Sequence, residues 1–117
     1  MANSGLFIGW GEVARGRERR ALEVFNESVQ YYADLQKQGE IESFEVGLLE
    51  PHGGDLQGFV LLRGDSERLA RLRRDREFQR RTTRASLVVD KIGVVGVLLG
   101  DALTEGMADY QQEIGQL

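Results

Sequence analysis

The stretch IESFEVGLLEPHGGDLQGFVLLR, residues 41–63, contains the pattern that decides the fold. In residues 41–49 the apolar side chains alternate at Phe44, Val46 and Leu48, which predicts a β-strand. Residues 50–55 contain a proline and two glycines. They predict a turn, because proline interrupts a strand ladder and glycine permits positive φ. Residues 56–63 predict another strand, and so short a connection indicates an antiparallel hairpin.

The chain before this hairpin predicts a strand followed by a helix. An apolar run predicts the strand over residues 6–13. From Arg17 the apolar residues recur at steps of three and four, which places them on one face of a helix that ends at Gly39. These residues are Leu22, Phe25, Val29, Tyr32 and Leu35.

The chain after the hairpin predicts an arginine-rich helix, a strand and a terminal helix. Asp65 and Ser66 can cap the first helix, and a change in the phase of its apolar stripe near Asp75 leaves open whether it is one helix or two. The strand is predicted over residues 88–99 and the amphipathic terminal helix over 101–114. The apolar positions are Leu69, Leu72, Phe78 and Ala85 in the first helix, and Leu103, Met107, Tyr110 and Ile114 in the last.

The order β-α-β-β-α-β is that of the ferredoxin-like fold. We therefore predict an α+β protein, with an antiparallel four-stranded sheet, helices on one face and an additional C-terminal helix. The chain has 117 residues and shows no linker or repeat, so residues 1–117 are predicted to form a single domain.

Three of the predicted strands are apolar on both sides, which indicates that both faces of the sheet are covered. The two crossover helices can cover only one face, and an apolar patch of this size is rarely left exposed on a monomer. We therefore predict a homodimer through the open sheet face; the alternative is that the terminal helix folds back over it. The side chains expected on that face are Phe7, Val60, Leu62, Val95, Val97 and Leu99.

This order of elements, with a two-sided apolar sheet and a terminal helix, resembles the dimeric α+β barrel superfamily. That group includes antibiotic-biosynthesis-type monooxygenases, haem-degrading oxygenases, EthD-like proteins and stress-responsive barrel proteins. The resemblance covers nearly the whole chain and depends on the arrangement of elements. It implies a fold and a dimeric assembly more than it implies a function.

Composition excludes several kinds of site and of protein. There is no cysteine, so thiolate metal sites, disulfides and cysteine nucleophiles are excluded. No apolar stretch approaches the about 18 residues of a spanning helix, and no secretory signal is evident, so we predict a cytoplasmic protein without membrane contact. Eight arginines lie between Arg68 and Arg84, but the net charge is −4, so nucleic-acid binding is a less favoured alternative.

Five residues are candidates for a site. Cofactor-free monooxygenases of the superfamily hold a polyaromatic phenol near Trp, Asn and Tyr residues, so the resemblance implies Trp10, Asn26, Tyr31 and Tyr32. His52 is the only histidine; it could act as a general base or a haem ligand, or be a solvated loop residue. The alternative for Trp10 is a core or interface aromatic.

The sequence contains no pattern that indicates a cofactor or a metal. Gly9–Ala14 fits the G-x-G-x-x-G/A fingerprint formally, but the predicted helix begins too late to meet a pyrophosphate, so these glycines are interpreted as strand glycines. We predict a small dimeric protein that binds a small apolar or aromatic molecule. The alternative is a cofactor-independent oxygenase acting on a phenolic substrate, so the sequence leaves open whether the chain is an enzyme.

Overall fold

A computed structural model describes residues 3–117, which form one four-stranded sheet and four helices. The strands are β1 (Ser4–Trp10), β2 (Ser43–Leu48), β3 (Gly58–Gly64) and β4 (Gly93–Leu98), and the helices are α1 (Glu18–Lys37), α2 (Ser66–Arg74), α3 (Arg76–Ser86) and α4 (Gly100–Ile114). This is the predicted order of elements. The strands are shorter than predicted, mainly because residues 88–92 form a connection before β4 begins.

All neighbouring strands of the sheet are antiparallel, in the order β2-β3-β1-β4. The central pair is β1 and β3, and the edges are β2 and β4. Helices α1, α2 and α3 pack on one face, so the fold is the predicted α+β ferredoxin-like arrangement.

The arginine-rich segment consists of two helices that meet at Asp75. This residue is extended (φ −67°, ψ 137°), and it ends α2 and begins α3. Its carboxylate accepts hydrogen bonds from the backbone N–H groups of Glu77 (3.0 Å) and Phe78 (3.3 Å), which satisfies free donors at the start of α3. Asp65 caps α2 in the same way through the N–H of Arg68. The change of phase in the apolar stripe therefore marks a boundary between helices.

The register of the sheet decides which strand residues face the helices. Leu6 pairs with Leu62 and Ile8 with Val60, and all four are buried in the core against the helices. The prediction that Val60 and Leu62 lie on the open face is therefore wrong. The run at residues 59–62 is apolar throughout, so it contains no alternation to show which side chains point inwards.

The opposite side of the sheet is covered by no helix, and it is largely apolar. Phe7 pairs with Val95 and lies beside Phe59, with the two rings stacked at a centroid distance of 5.4 Å. Val95 is 56% exposed. We call this surface the open face; its apolar side chains are Phe7, Phe59, Leu61, Val95 and Val97, and the ion pair of Arg63 with Glu45 (2.9 Å) lies towards its β2 edge.

Helix α4 does not fold back over the open face. It packs chiefly on β4, where Gly106 lies against Leu98, and none of its residues is buried. The predicted apolar stripe exists, but in the single chain it faces solvent. None of the helices in residues 3–117 is both long and apolar enough to cross a membrane.

Candidate functional site

A cavity of about 300 Å³ lies between α1, α3 and the helix-covered face of the sheet. Its lining is mostly apolar. Strand residues are Ile8, Trp10, Leu48 and Val60; α1 contributes Glu18, Ala21, Leu22, Val24, Phe25, Ser28, Val29 and Tyr32; α3 contributes Arg81, Thr82 and Ala85; and Val13, Val88, Val89 and Ile92 come from connecting segments. Two helices and the sheet therefore meet around one apolar space.

The predicted apolar stripe of α1 forms one wall of the cavity. Leu22, Phe25, Val29 and Tyr32 all line the cavity, as their placement on one face predicts, and Leu22 at its mouth is 60% exposed, whereas Ala21 and Val24 beside them are buried against Val88. Phe25 and Val29 are only half-buried because they face the cavity. A helical stripe predicts a face that avoids water, but it does not distinguish a packed core from a cavity wall.

Trp10 forms part of the cavity wall at the end of β1. Its ring meets Phe25 edge to face, with the centroids 6.2 Å apart. Gly58 is its partner on β3, and a Cβ atom there would come within 2.5 Å of the Trp10 ring, so glycine at this position makes room for the indole. Trp10 and Phe25 together present aromatic surface to any molecule in the cavity.

Tyr31 and Tyr32 are neighbours on α1, but only Tyr32 lines the cavity. Burial raises the pKa of each phenol to about 12, with smaller effects from the charges around them. Among residues 3–117 the Tyr32 hydroxyl has no hydrogen-bond partner. It is therefore a neutral donor that remains free for a molecule in the cavity.

The raised pKa values predict a loss of stability at alkaline pH. Because these pKa values exceed the ordinary value of 10, the phenols stay protonated in the folded chain between pH 10 and about 12, whereas they lose their protons in the unfolded chain. This contribution is fully present below pH 10 and is lost as the pH rises through 12. For the buried Tyr32 the loss should be on the order of 2 kcal/mol.

Denaturant unfolding at a series of pH values, for the natural chain and for Tyr32→Phe, measures this loss. The variant should match the natural chain at neutral pH and show a smaller decrease above pH 10. Equal slopes in the two proteins would contradict the assignment to Tyr32. Absorbance titration of the phenolates provides an independent measurement of the pKa.

Arg81 contributes a positive charge to the cavity wall. Its Nε donates to the Glu77 carboxylate at 3.2 Å, and its guanidinium carbon lies 4.9 Å from the centre of the Tyr31 ring. Two neighbouring hydroxyls differ in their availability: Thr82 donates to the Phe78 carbonyl at 3.1 Å, whereas Ser28 has no hydrogen-bond partner in residues 3–117. The cavity thus combines an apolar body with a few polar groups from α1 and α3.

The other predicted candidates lie elsewhere. His52 is exposed in the hairpin turn, where Nδ1 accepts from the Gly54 N–H (3.2 Å) and Nε2 donates to the Leu56 carbonyl (2.7 Å). Asn26 is exposed on α1 and is not among the residues that line the cavity. Of the five candidates, Trp10 and Tyr32 line the cavity. Tyr31 does not line it, but its ring contacts the guanidinium of Arg81, which does.

Two further sequence features have structural explanations. The fingerprint at Gly9–Ala14 ends before α1 begins at Glu18, and a Cβ atom at Gly9 would lie 2.9 Å from the Phe7 ring, so Gly9 serves close packing. Among the arginines, Arg84 pairs with Glu27 (2.9 Å), and Arg73 donates to the Val94 carbonyl (2.8 Å). In the described part of the chain, no group of three or more His, Cys, Asp or Glu side chains could hold a metal ion.

The sequence did not single out Arg81, Ser28 or Phe25 as cavity residues. One signal was available for Arg81, because it follows Glu77 by one helical turn and Phe78 marks the buried side of the same helix. Its position beside Tyr31 depends on how α1 and α3 pack, which local sequence does not determine.

Comparison with known proteins shows similarity in structure but not in sequence. No family model matches the chain, and no curated protein matches it. A dimeric ferredoxin-like protein of unknown function from Jannaschia sp. CCS1 has a TM-score of 0.63 at 14% identity, covering 82% of this chain and 99% of that one. An EthD family protein from Bacillus halodurans has a TM-score of 0.59 at 13% identity, with coverages of 81% and 96%.

A third solved structure is SnoaB, a cofactor-independent oxygenase from Streptomyces nogalater. It has a TM-score of 0.50 at 17% identity, covering 85% of this chain and 93% of that one. Identities this low establish similarity of fold and no more. The chain therefore has an α+β ferredoxin-like fold similar to that of these proteins, as its sequence predicted.

Proposed function

We propose that this protein binds a small, largely apolar and aromatic molecule in the cavity between α1 and the sheet. The observation that supports this most directly is the cavity itself, whose about 300 Å³ is lined mostly by aliphatic and aromatic side chains. Pockets for small molecules are typically of this size, mostly apolar, with a few polar groups that orient the ligand. Trp10 and Phe25 would contact the face and edge of a planar ring.

The polar groups of the cavity restrict the kind of molecule further. Tyr32 offers an unpaired hydroxyl, and Arg81 offers a guanidinium held by Glu77 and the Tyr31 ring. Both groups donate hydrogen bonds, so they favour a ligand with an oxygen acceptor, such as a phenol or a carboxylate, at one end of its apolar body.

We further propose that the protein works as a homodimer through the open face. The stacked Phe7 and Phe59 rings and the exposed Val95 form an apolar surface that nothing in the single chain covers. A second copy, related by a two-fold axis, would remove this surface from water. The similar protein from Jannaschia is a dimer with the same fold, which supports this assembly.

Titration with 2-naphthol, followed by NMR or fluorescence, tests the cavity as a binding site. The natural chain should bind this probe with chemical-shift changes at the residues of α1 and α3 that line the cavity. Trp10→Ala should weaken binding by about tenfold or more, because it removes the largest apolar surface in the wall. Naphthalene should bind more weakly than 2-naphthol, because it cannot accept hydrogen bonds from Tyr32 or Arg81.

His52→Ala is the matched control, since this aromatic side chain is exposed and outside the cavity. It should change the affinity for 2-naphthol by less than about twofold. Equal losses in the Trp10 and His52 variants, or shift changes confined to α4, would contradict the proposal. If the protein consumes oxygen in the presence of 2-naphthol, it also catalyses a reaction. That result would support the alternative, a cofactor-independent oxygenase.

A further inference from the structure

Helix α4 presents an apolar surface that remains exposed to solvent in the single chain. Its side chains at steps of three and four residues form one stripe: Leu103 is 47% exposed, Met107 57%, Tyr110 63% and Ile114 56%. The helix packs chiefly on β4, from which it emerges, and Gly106 lies against Leu98 there. The radius of gyration is 16.0 Å, whereas a compact chain of this length has about 13 Å, which indicates that α4 stands away from the body.

We propose that α4 is an arm that packs its stripe on the second protomer of the dimer. This inference rests on the homodimer proposed above and adds a second contact surface to it. The amount of surface supports it. A standard interface buries about 800 Å² per partner, of which roughly 500 Å² is apolar. The open face consists mainly of half-buried side chains. A fully exposed large side chain offers roughly 60–120 Å² of apolar surface. The open face therefore provides less than half of the apolar area of a standard interface.

The stripe on α4 roughly doubles the apolar surface that a partner can bury. Its four side chains are all about half exposed, so they contribute at least as much area as the open face. Sheet face and arm together come closer to the apolar area of a standard interface than either does alone.

Charge distinguishes the two sides of α4. The helix carries four carboxylates, Asp101, Glu105, Asp109 and Glu113, and no basic residue. At 3.6 residues per turn these carboxylates lie mainly on the side of α4 opposite the apolar stripe. Packing the stripe on the second protomer therefore buries the apolar side of α4 and leaves its carboxylates in water.

The arm is tested by placing a charge on its stripe. Met107→Glu should weaken the dimer by about tenfold or more, measured by analytical ultracentrifugation, because an unpaired carboxylate would be buried in the contact. Met107 is exposed in the single chain, so the variant should fold with an unchanged circular dichroism spectrum. Gln112→Glu is the matched control: it adds the same charge to an exposed residue outside the stripe and should change the dimer constant by less than about twofold.

A photo-cross-linker shows where the arm lies. With p-benzoylphenylalanine in place of Tyr110, full-length protein should form cross-links between protomers, mapped by mass spectrometry to peptides of the second protomer outside its own α4. Cross-links only within one chain, or only between two copies of α4, would overturn the proposal. So would a dimer that Met107→Glu leaves intact.

The outcomes separate the arm from the assembly on which it depends. A dimer broken by a charge on the open face but unaffected by Met107→Glu overturns the arm alone. A natural chain that is monomeric at all concentrations overturns both proposals. Binding of 2-naphthol in the cavity is measured independently of either.

Discussion

Replacing Leu62 by alanine should lower the free energy of unfolding by about 2–5 kcal/mol, because Leu62 is fully buried at the centre of the core. It lies on the central strand β3 opposite Leu6, where strands on both sides limit how far the structure can relax around the missing atoms. Such sites lose both the transfer free energy of the side chain and the free energy of the cavity left behind. Urea unfolding of the two proteins measures the difference.

Leu61→Ala is the matched control, because it makes the same chemical change at the next residue of the same strand. Leu61 is only half-buried and lies on the open face, so the single chain should lose much less stability. Its effect should also decrease on dilution, as the dimer dissociates, whereas the effect of Leu62→Ala should not depend on concentration. A larger loss for Leu61 than for Leu62 would mean that the register of β3 is inverted.

Replacing Val95 by glutamate should weaken the homodimer by about 100-fold or more. Val95 is 56% exposed on the open face, beside Phe7, so in the single chain the carboxylate remains in water. In a dimer through this face the charge would be buried without a partner, once in each protomer, and burying an unpaired charge costs several kcal/mol. Sedimentation velocity over a range of concentrations should then show a monomer where the natural chain is a dimer.

Leu87→Glu provides the control for Val95→Glu. Leu87 follows α3, is 62% exposed and is not on the sheet, so the same carboxylate there should change the dimer constant by less than about twofold. Equal weakening by the two variants would indicate a general effect of added negative charge. A natural chain that sediments as a dimer and is unaffected by Val95→Glu would show that the protomers associate through another surface.

The fold was largely predictable because its signals are local. The alternation at Phe44, Val46 and Leu48, the turn at Pro51 and the stripe on α1 each depend on residues close together in the chain. The cap at Asp75 is also local, although the sequence left open whether it divides one helix from another.

The candidate site was only partly predictable because its residues come from distant parts of the chain. Trp10 and Tyr32 were candidates and line the cavity, while His52 stabilises its own turn through hydrogen bonds to Gly54 and Leu56. Arg81 was absent from the candidates. Its approach to Tyr31 depends on the packing of α3 beside α1, which no pattern within either helix encodes.

The sequence by itself therefore determined the order of strands and helices and the presence of more apolar surface than one layer of helices covers. Only the tertiary structure decided that Leu62 faces the core while Leu61 faces the open side, that Trp10, Phe25 and Arg81 line one cavity, and that α4 stands away from the body. The physical reason is that an uninterrupted apolar run is equally apolar on both sides. The direction of each side chain is then set by pairing with a distant strand, which no local pattern specifies.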